Sequence, residues 1–314
     1  MRGEMMFFNN KPKELLSREQ VARDVELIIS RHKEDRIKEE DFVDDSKEGY
    51  TSKDIFNDLK MLMTMEEQFE KRDEHFTAEE IERIKQREGL SEALEVAVVA
   101  GGQRVNWFGE NAYLIRAARF DDVFNGTDAF LEFDMGEDEP FRIALAIDAS
   151  MSRDIHIIEK KMVRGVQKIE KGHMEVKYFQ SKVDDFKGKL TMVVPIVLGI
   201  ESHNAQQLVH LFAELERAAG DPDKEKKIEQ QLSQNPAQIV MLKEMTTQLD
   251  MYATLFRRNG SYIRHATERV RGLLEDIIKQ KDHVDSDEME RGDKVYGLVQ
   301  SICAKKKMEY QQKR

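Results

Sequence analysis

Cysteine, proline and tryptophan are scarce: the 314 residues include one cysteine, five prolines and one tryptophan. Because Cys303 has no second cysteine to pair with, an internal disulfide is excluded and a cysteine-based metal site has no support. This composition favours the reducing cytoplasm as the location of the protein. The longest apolar run, LTMVVPIVLGI, has only about half the length of a membrane span, and the first residues predict no export signal. We therefore expect no membrane association.

Positive charge is also in short supply, since the formal net charge is -11 at pH 7. A protein with this balance does not attract nucleic acid over its whole surface. The deficit lies in residues 1–219, whereas residues 220–314 contain 18 Lys and Arg against 16 Asp and Glu. The near balance of charge in residues 220–314 therefore permits a basic face on the last third of the chain without requiring one.

Glycine is unevenly distributed, because 10 of the 17 glycines lie between Gly89 and Gly199. Tight turns and strand ends need glycine, so this window predicts the part of the chain that contains a sheet. We predict an N-terminal helical arm over residues 1–88, an α/β core over 89–219 and a C-terminal helical region over 220–314. Breaks between helices of the last region are expected at Asp221-Pro222, Asn235-Pro236, Asn259-Gly260 and near Asp285-Ser286.

The core window predicts a helix, three strands, a second helix, two more strands and a third helix. Its first helix, LSEALEVAVVAGG, is expected to be buried and to end at the paired glycines. The segment before it, TAEEIERIKQREG, opens with a capping box at Thr77 and Glu80 and is expected to end at Gly89. The predicted strands are AYLIRAARF, TDAFLEFDM, FRIALAIDAS, MEVKYFQ and MVVPIVLGI, and the helix among them is SRDIHIIEKKMVRGVQKIEKG.

Two aspartates interrupt apolar, strand-like runs in the core. In TDAFLEFDM the alternation of side chains puts Asp128, Phe130 and Glu132 on one face. In FRIALAIDAS, Asp148 and Ser150 share a face with small alanines, and the opposite face is entirely apolar. A buried carboxylate is unfavourable unless it is paired, hydrogen-bonded or bound to a metal. Mg²⁺ is one such partner, because it takes oxygen ligands and leaves positions for water and phosphate oxygens.

Each candidate residue also has an ordinary structural interpretation. Aspartates at strand ends commonly cap turns, and Asp121 and Asp122 are either further ligands or organisers of the turn before Gly126. Trp107 is expected to anchor the core, with base stacking as the alternative. The basic run from Lys160 to Lys171 is either a solvated helix face or a face that contacts phosphate.

The order of helix, three strands, helix and strand, with an aspartate in the second strand and an acidic-x-polar tripeptide ending the third, resembles the PD-(D/E)XK nuclease superfamily. The resemblance covers about residues 89–200, roughly a third of the chain. It implies an α/β fold with a restriction-endonuclease-like mixed sheet, extended by helices at both ends. It also implies that Asp128 and Asp148 bind Mg²⁺ or Mn²⁺. Glu92 or Glu95 corresponds to the acidic residue that some members carry on the first helix.

The tripeptide departs from the family pattern at one position. Ser150 stands where the family has a lysine that helps to position and activate the attacking water, and serine carries no positive charge to stabilise the transition state. Thr127 replaces the preceding proline. Because some members take the lysine from the next helix, the resemblance implies this role for Lys160 or Lys161. The chain also resembles uncharacterised bacterial proteins that carry an aspartate-x-small-hydroxyl variant.

Three functional hypotheses fit these residues. The first is a metal-dependent nucleic-acid phosphodiesterase in which Asp128 and Asp148 bind the metal, Ser150 orients water and Lys160 or Lys161 supplies the missing charge. The second is a non-catalytic relative that binds nucleic acid or another phosphate-bearing ligand. The third is a scaffold whose helical arms bind protein partners. The resemblance favours a nuclease-like protein that acts on or binds nucleic acid.

Overall fold

The computed structural model describes most of the chain. The described ranges are 16–43, 50–73, 75–134, 136, 144–151, 154–171, 175–191, 193–257 and 261–312, and only the backbone is described for residues 70, 72, 73, 144–150 and 261–263. The fold belongs to the mixed α/β class and is mostly helical, as the two predicted helical extensions require. None of the helices within these ranges combines the length and the apolar character that a bilayer span needs.

The long helices described before the sheet are α1 (Arg18–Arg31), α2 (Ser52–Asp73) and α3 (Ala78–Val96). The capping box at Thr77 and Glu80 is confirmed, because each side chain bonds the backbone N–H of the other residue. The predicted helix end at Gly89 is wrong, since α3 runs through this residue. The glycine instead permits close packing of α1, because a Cβ at Gly89 would lie 3.2 Å from Val25 Cγ1.

The predicted end at the paired glycines is also wrong. The helix continues as a π-helical turn over Ala97–Gly101 and then as α4 (Gly102–Arg104). A Cβ at Gly101 would lie 3.1 Å from the ring of Phe212, and one at Gly102 would lie 3.3 Å from the indole of Trp107. These glycines therefore make room for aromatic side chains and do not terminate the helix.

Four strands form the main sheet in the order β1-β2-β3-β6. The strands of the fold are β1 (Ala112–Arg116), β2 (Ala129–Phe133), β3 (Ala144–Ser150), β4 (Glu175–Gln180), β5 (Lys187–Thr191) and β6 (Val194–Gly199). The first three are antiparallel neighbours, whereas β3 and β6 are parallel. The connection from β3 to β6 contains α5 (Ile155–Glu170), which packs against β6. This parallel pair requires such a crossover.

The remaining strands, β4 and β5, form a separate antiparallel hairpin. Only β4 and β6 were predicted after α5, so β5 is an additional strand. Its sequence, KGKLT, contains a single buried apolar residue, Leu190, and therefore shows no clear alternation. The hairpin covers the face of β2 that carries Phe130, which contacts Phe179 edge to face at 5.3 Å between ring centroids.

The C-terminal region consists of helices, and three of its four predicted breaks lie within the described residues. Those at 221–222, 235–236 and 285–286 are confirmed, whereas Asn259-Gly260 lies outside the described residues. An unpredicted break at Asp293 separates the last two helices. The helices are α6 (Ser202–Arg217), α7 (Pro222–Ser233), α8 (Ala237–Leu255), α9 (Ser261–Gln280), α10 (Asp287–Gly292) and α11 (Lys294–Gln312).

One large hydrophobic cluster joins α1, α3, the main sheet, α6, α8, α9 and α11. It crosses residues 88–89 and 219–220, where the three predicted regions meet. The division into an arm, a core and a C-terminal region stays a prediction. Within the cluster, α8 packs against β6, so a helix of the C-terminal region flanks the strand that the predicted site adjoins.

Candidate functional site

Asp128 lies immediately before β2, at the end of the strand nearest to α5. Its side chain is only 8% exposed, and its carbonyl accepts a hydrogen bond from the Ala117 N–H at 3.0 Å. In the antiparallel register Ala129 pairs with Ile147, so the next residues outward are Asp128 and Asp148. The fold therefore brings the two predicted aspartates to neighbouring positions at one end of the sheet. The side chains of Asp148 and Ser150 lie outside the described part of the chain.

A cleft of about 310 Å³ opens beside Asp128. Its walls are the loop before β2, one face of α5, the start of β4, strand β6 and the side chain of Tyr252 from α8. Lys161 is among the lining residues, whereas the neighbouring Lys160 is exposed and does not line the cleft. Of the two lysines predicted as substitutes for the missing one, only Lys161 shares the cleft with Asp128.

Three cations of α5 line this cleft: Lys161, Arg164 and Lys168. Their spacing of three and four residues puts them on one helix face. Arg164 donates to the carbonyl oxygen of Phe124 at 2.9 Å, and Lys168 donates to that of Asn125 at 2.6 Å. The basic face therefore anchors the loop that leads into Asp128, a role that neither interpretation of the sequence included.

A second cavity, of about 20 Å³, is lined by both Asp128 and Glu95 of α3. The Glu95 side chain is 12% exposed and forms an ion pair with Arg36 at 3.3 Å. Burial raises the pKa of Glu95 to about 7, against the opposing influence of Arg36. Glu92 instead pairs with Arg116 at 3.4 Å. Between the two glutamates proposed from the first helix, Glu95 is the one beside Asp128.

Asp121 and Asp122 organise the loop before β2. The buried Asp121 carboxylate accepts hydrogen bonds from the N–H groups of Lys177 and Tyr178 at 2.9 and 2.8 Å, so it ties the loop to β4. Asp122 pairs with Arg36 at 3.0 Å. Within the turn, Asp121 also accepts from the Asn125 side-chain amide at 2.6 Å, and the Asp122 carbonyl accepts from the Gly126 N–H at 3.0 Å, so the interpretation as turn organisers is confirmed. Asp122 also lines the cleft, so its role as a further ligand stays a prediction.

Two other polar or aromatic candidates have structural roles. Trp107 is fully buried and its indole N–H donates to the carbonyl of Leu232 at 2.9 Å, so it is a core anchor, as expected. Glu132, on the same face of β2 as Asp128, accepts from the Ser181 hydroxyl at 2.7 Å and from the Lys182 N–H at 2.8 Å. This buried glutamate holds the turn of the β4-β5 hairpin over the sheet.

The available ligands near Asp128 are carboxylate oxygens. Mg²⁺ usually binds one or two protein carboxylates and retains water, so Asp128 with Glu95 or Asp148 is a chemically suitable donor set. Among the described side chains, no group of three or more His, Cys, Asp or Glu residues is arranged to hold a metal ion. The predicted pair of Asp128 and Asp148 stays a prediction, because the second side chain is not described.

Comparison with protein-family models, with curated proteins and with solved structures gave no match for this chain. The functional assignment therefore rests on the residues of the cleft and on the order of the elements around it. Tyr252 was not predicted as part of the site. It belongs to the predicted C-terminal helical region, and no local sequence pattern connects it with the cleft.

Proposed function

We propose that this protein is a metal-dependent nucleic-acid phosphodiesterase built on a restriction-endonuclease-like core. The observation that carries the proposal is the shared cleft of Asp128 and Lys161, with Asp148 at the neighbouring register position. The element order supports it, because α3 and α4 are followed by three antiparallel strands and α5, and then, after the β4-β5 hairpin, by β6, which is parallel to β3. This is the order on which the resemblance to PD-(D/E)XK nucleases is based.

In this proposal, Asp128 and Asp148 hold Mg²⁺ or Mn²⁺, and Glu95 is the acidic residue from the first helix. A bound divalent ion lowers the pKa of its water and neutralises charge on the phosphate. Lys161 supplies the positive charge that Ser150 lacks, since fixed cations stabilise the charge that develops during phosphoryl transfer. Ser150, at the end of β3, orients the attacking water through its hydroxyl.

The second candidate function is binding of nucleic acid without cleavage. It is favoured by Ser150 in place of lysine and by the basic face of Lys161, Arg164 and Lys168, which suits a phosphate backbone. Binding of protein partners by the helical arms also stays a proposal. The observation in its favour is the exposure of Phe56 and Met63, two turns apart on α2, which are 65% and 63% exposed.

Metal binding and cleavage measured on the same samples separate these functions. Mg²⁺ and Mn²⁺ are titrated calorimetrically into the wild type, Asp128→Asn and Asp148→Asn, and fluorescent DNA and RNA substrates report cleavage. The phosphodiesterase proposal expects metal binding and cleavage by the wild type and loss of both in either variant. Salt-sensitive nucleic-acid binding without cleavage selects the second candidate. Exposed Asp134→Asn, on the far end of β2, is the matched control.

A further inference from the structure

The size of the Asp128 cleft restricts what it can accept. Its volume of about 310 Å³ is near the lower end of the range for small-molecule sites, which is roughly 300–1,000 Å³. A cleft of this size has room for one nucleotide, and a base that enters it cannot stay paired. Enzymes that react at a base meet the same condition, and they act on single strands or take the nucleotide out of the duplex.

The two walls of the cleft differ in chemistry. Helix α5 contributes Lys161, Arg164 and Lys168, whereas the residues from β4 and from the start of β6 are mostly apolar: the partly exposed Pro195 lies beside Val176, Val193 and Ile196, each at most 2% exposed, and Glu175 is the charged residue among them. A nucleotide has the same division, since its phosphate is anionic and its base presents an apolar face. Contacts to the face of a base tolerate any sequence, because every base has such a face.

The distance between the walls is set by Gly165. A Cβ at this position would lie 2.8 Å from the Tyr252 hydroxyl oxygen and 3.1 Å from Pro195 Cγ. Helix α5 therefore lies as close to α8 and β6 as a glycine allows. This packing fixes the position of α5 against β6 and α8 beside the cleft.

We propose that the cleft binds one unpaired nucleotide, with its phosphate at Lys161 and its base against Pro195, so that the substrate is single-stranded nucleic acid. This inference rests on the proposed phosphodiesterase function and names the substrate class of the same site. The recognised unit is a nucleoside monophosphate, which a free nucleotide also contains.

Fluorescence anisotropy with a labelled oligothymidylate tests the proposal, using the same strand annealed to oligoadenylate as the duplex. Unlabelled thymidine monophosphate and inorganic phosphate serve as competitors. We expect the single strand to bind at least about tenfold more tightly than the duplex, and thymidine monophosphate to compete better than inorganic phosphate. Lys161→Ala should weaken competition by the nucleotide about tenfold, as expected when a charge-assisted contact is lost. Lys171→Ala, at the C-cap of the same helix and outside the cleft, should match the wild type.

Equal affinity for single strand and duplex overturns the inference, as does a nucleotide that competes no better than phosphate. The inference is also overturned if thymidine monophosphate competes as well in Lys161→Ala as in the wild type. If thymidine monophosphate binds tightly and the single strand binds weakly, the claim that the substrate is a nucleic-acid strand is overturned. The cleft is then a site for free nucleotides. Cleavage measured in parallel separates this inference from the proposed function. If only the duplex is cleaved, the proposed function stands and the single-strand inference fails. If the single strand is bound but not cleaved, the inference stands and the proposed function fails.

Discussion

The side-chain amide of Gln248 forms both hydrogen bonds of a β-ladder with Val197. Its oxygen accepts from the Val197 N–H at 2.9 Å, and its NH₂ group donates to the Val197 carbonyl at 2.7 Å. Val197 lies on β6, an edge strand of the main sheet. At the opposite edge, the Gln103 amide accepts from the Leu114 N–H at 2.8 Å and donates to the Ala112 carbonyl at 3.2 Å. Glutamine side chains therefore take the place of a further strand at both edges.

Removing the Gln248 amide should destabilise the fold. In Gln248→Ala, both backbone groups of Val197 lose a buried partner, and we expect the free energy of unfolding to fall by about 2–4 kcal/mol. Chemical denaturation measures this change. The exposed Gln231→Ala on α7 is the control and should change stability by less than about 0.5 kcal/mol. A Gln248→Ala protein as stable as the control would show that the edge is not held by this amide.

Glu244 should make stability depend on pH. Its Oε2 accepts from the Gly199 N–H at 2.8 Å, and its other oxygen has no hydrogen-bond partner among the described residues. Complete burial raises its pKa well above the usual value. The folded protein therefore keeps a proton that the unfolded chain loses above about pH 4.5, so stability decreases as pH rises from there to the folded pKa.

The Glu244→Gln variant lacks this proton equilibrium. The difference in unfolding free energy between Glu244→Gln and the wild type should shift in favour of the variant as pH rises from 5 to 8, by at most about 1.4 kcal/mol per pH unit. Denaturant titrations at several pH values measure it. A difference that stays constant over this range contradicts a protonated Glu244.

Arg164 should hold the loop that carries Asp128. Arg164→Ala removes the donor to the Phe124 carbonyl, and because this side chain is exposed we expect less than about 1 kcal/mol loss of global stability. The local effect should be larger, with faster hydrogen exchange of the Gly126 and Thr127 amides. Arg83→Ala, an exposed residue of α3, is the control. Unchanged exchange at both amides would mean that the loop is held by its other contacts.

Gly165 and Tyr252 should be coupled. Gly165→Ala places a methyl group 2.8 Å from the Tyr252 hydroxyl oxygen, and we expect about 1–3 kcal/mol of destabilisation from overpacking. Tyr252→Phe removes that oxygen, so the alanine should be tolerated better in the double variant. A double-mutant cycle measures the coupling, expected to be about 1 kcal/mol or more. Additive effects would contradict the close approach of the two residues.

Short-range signals in the sequence were sufficient for several elements. The capping box at Thr77 and the Asp221-Pro222 helix start are determined by residues within one turn, so they were predictable. Gly89 and Gly101 were misinterpreted as helix ends. In the sequence, a glycine that makes room for a neighbouring side chain cannot be distinguished from a glycine that ends a helix. Their neighbours, Val25 and Phe212, lie far away along the chain and become visible only in the folded protein.

The candidate site was predictable to a similar extent. Strand alternation and element order were enough to name Asp128 and Asp148, which the register puts at neighbouring positions, and their use as a metal-binding pair stays a prediction. The choice between Lys160 and Lys161 depends on the rotation of α5 relative to the sheet, which no local pattern specifies. Tyr252 reaches the cleft only because α8 packs against β6, so its position depends on tertiary structure.

The most direct test of the proposed function compares Lys161→Ala with Lys160→Ala. Single-turnover cleavage of a fluorescent single strand, and of the same strand annealed into a duplex, is measured with Mg²⁺ and with Mn²⁺. Because Lys161 lines the cleft and Lys160 does not, we expect a loss of at least about 100-fold in Lys161→Ala, as for removal of a group that stabilises the transition state. Lys160→Ala should cleave at the wild-type rate. Equal rates in the two variants, or no cleavage of either substrate by the wild type with either metal, would contradict the account.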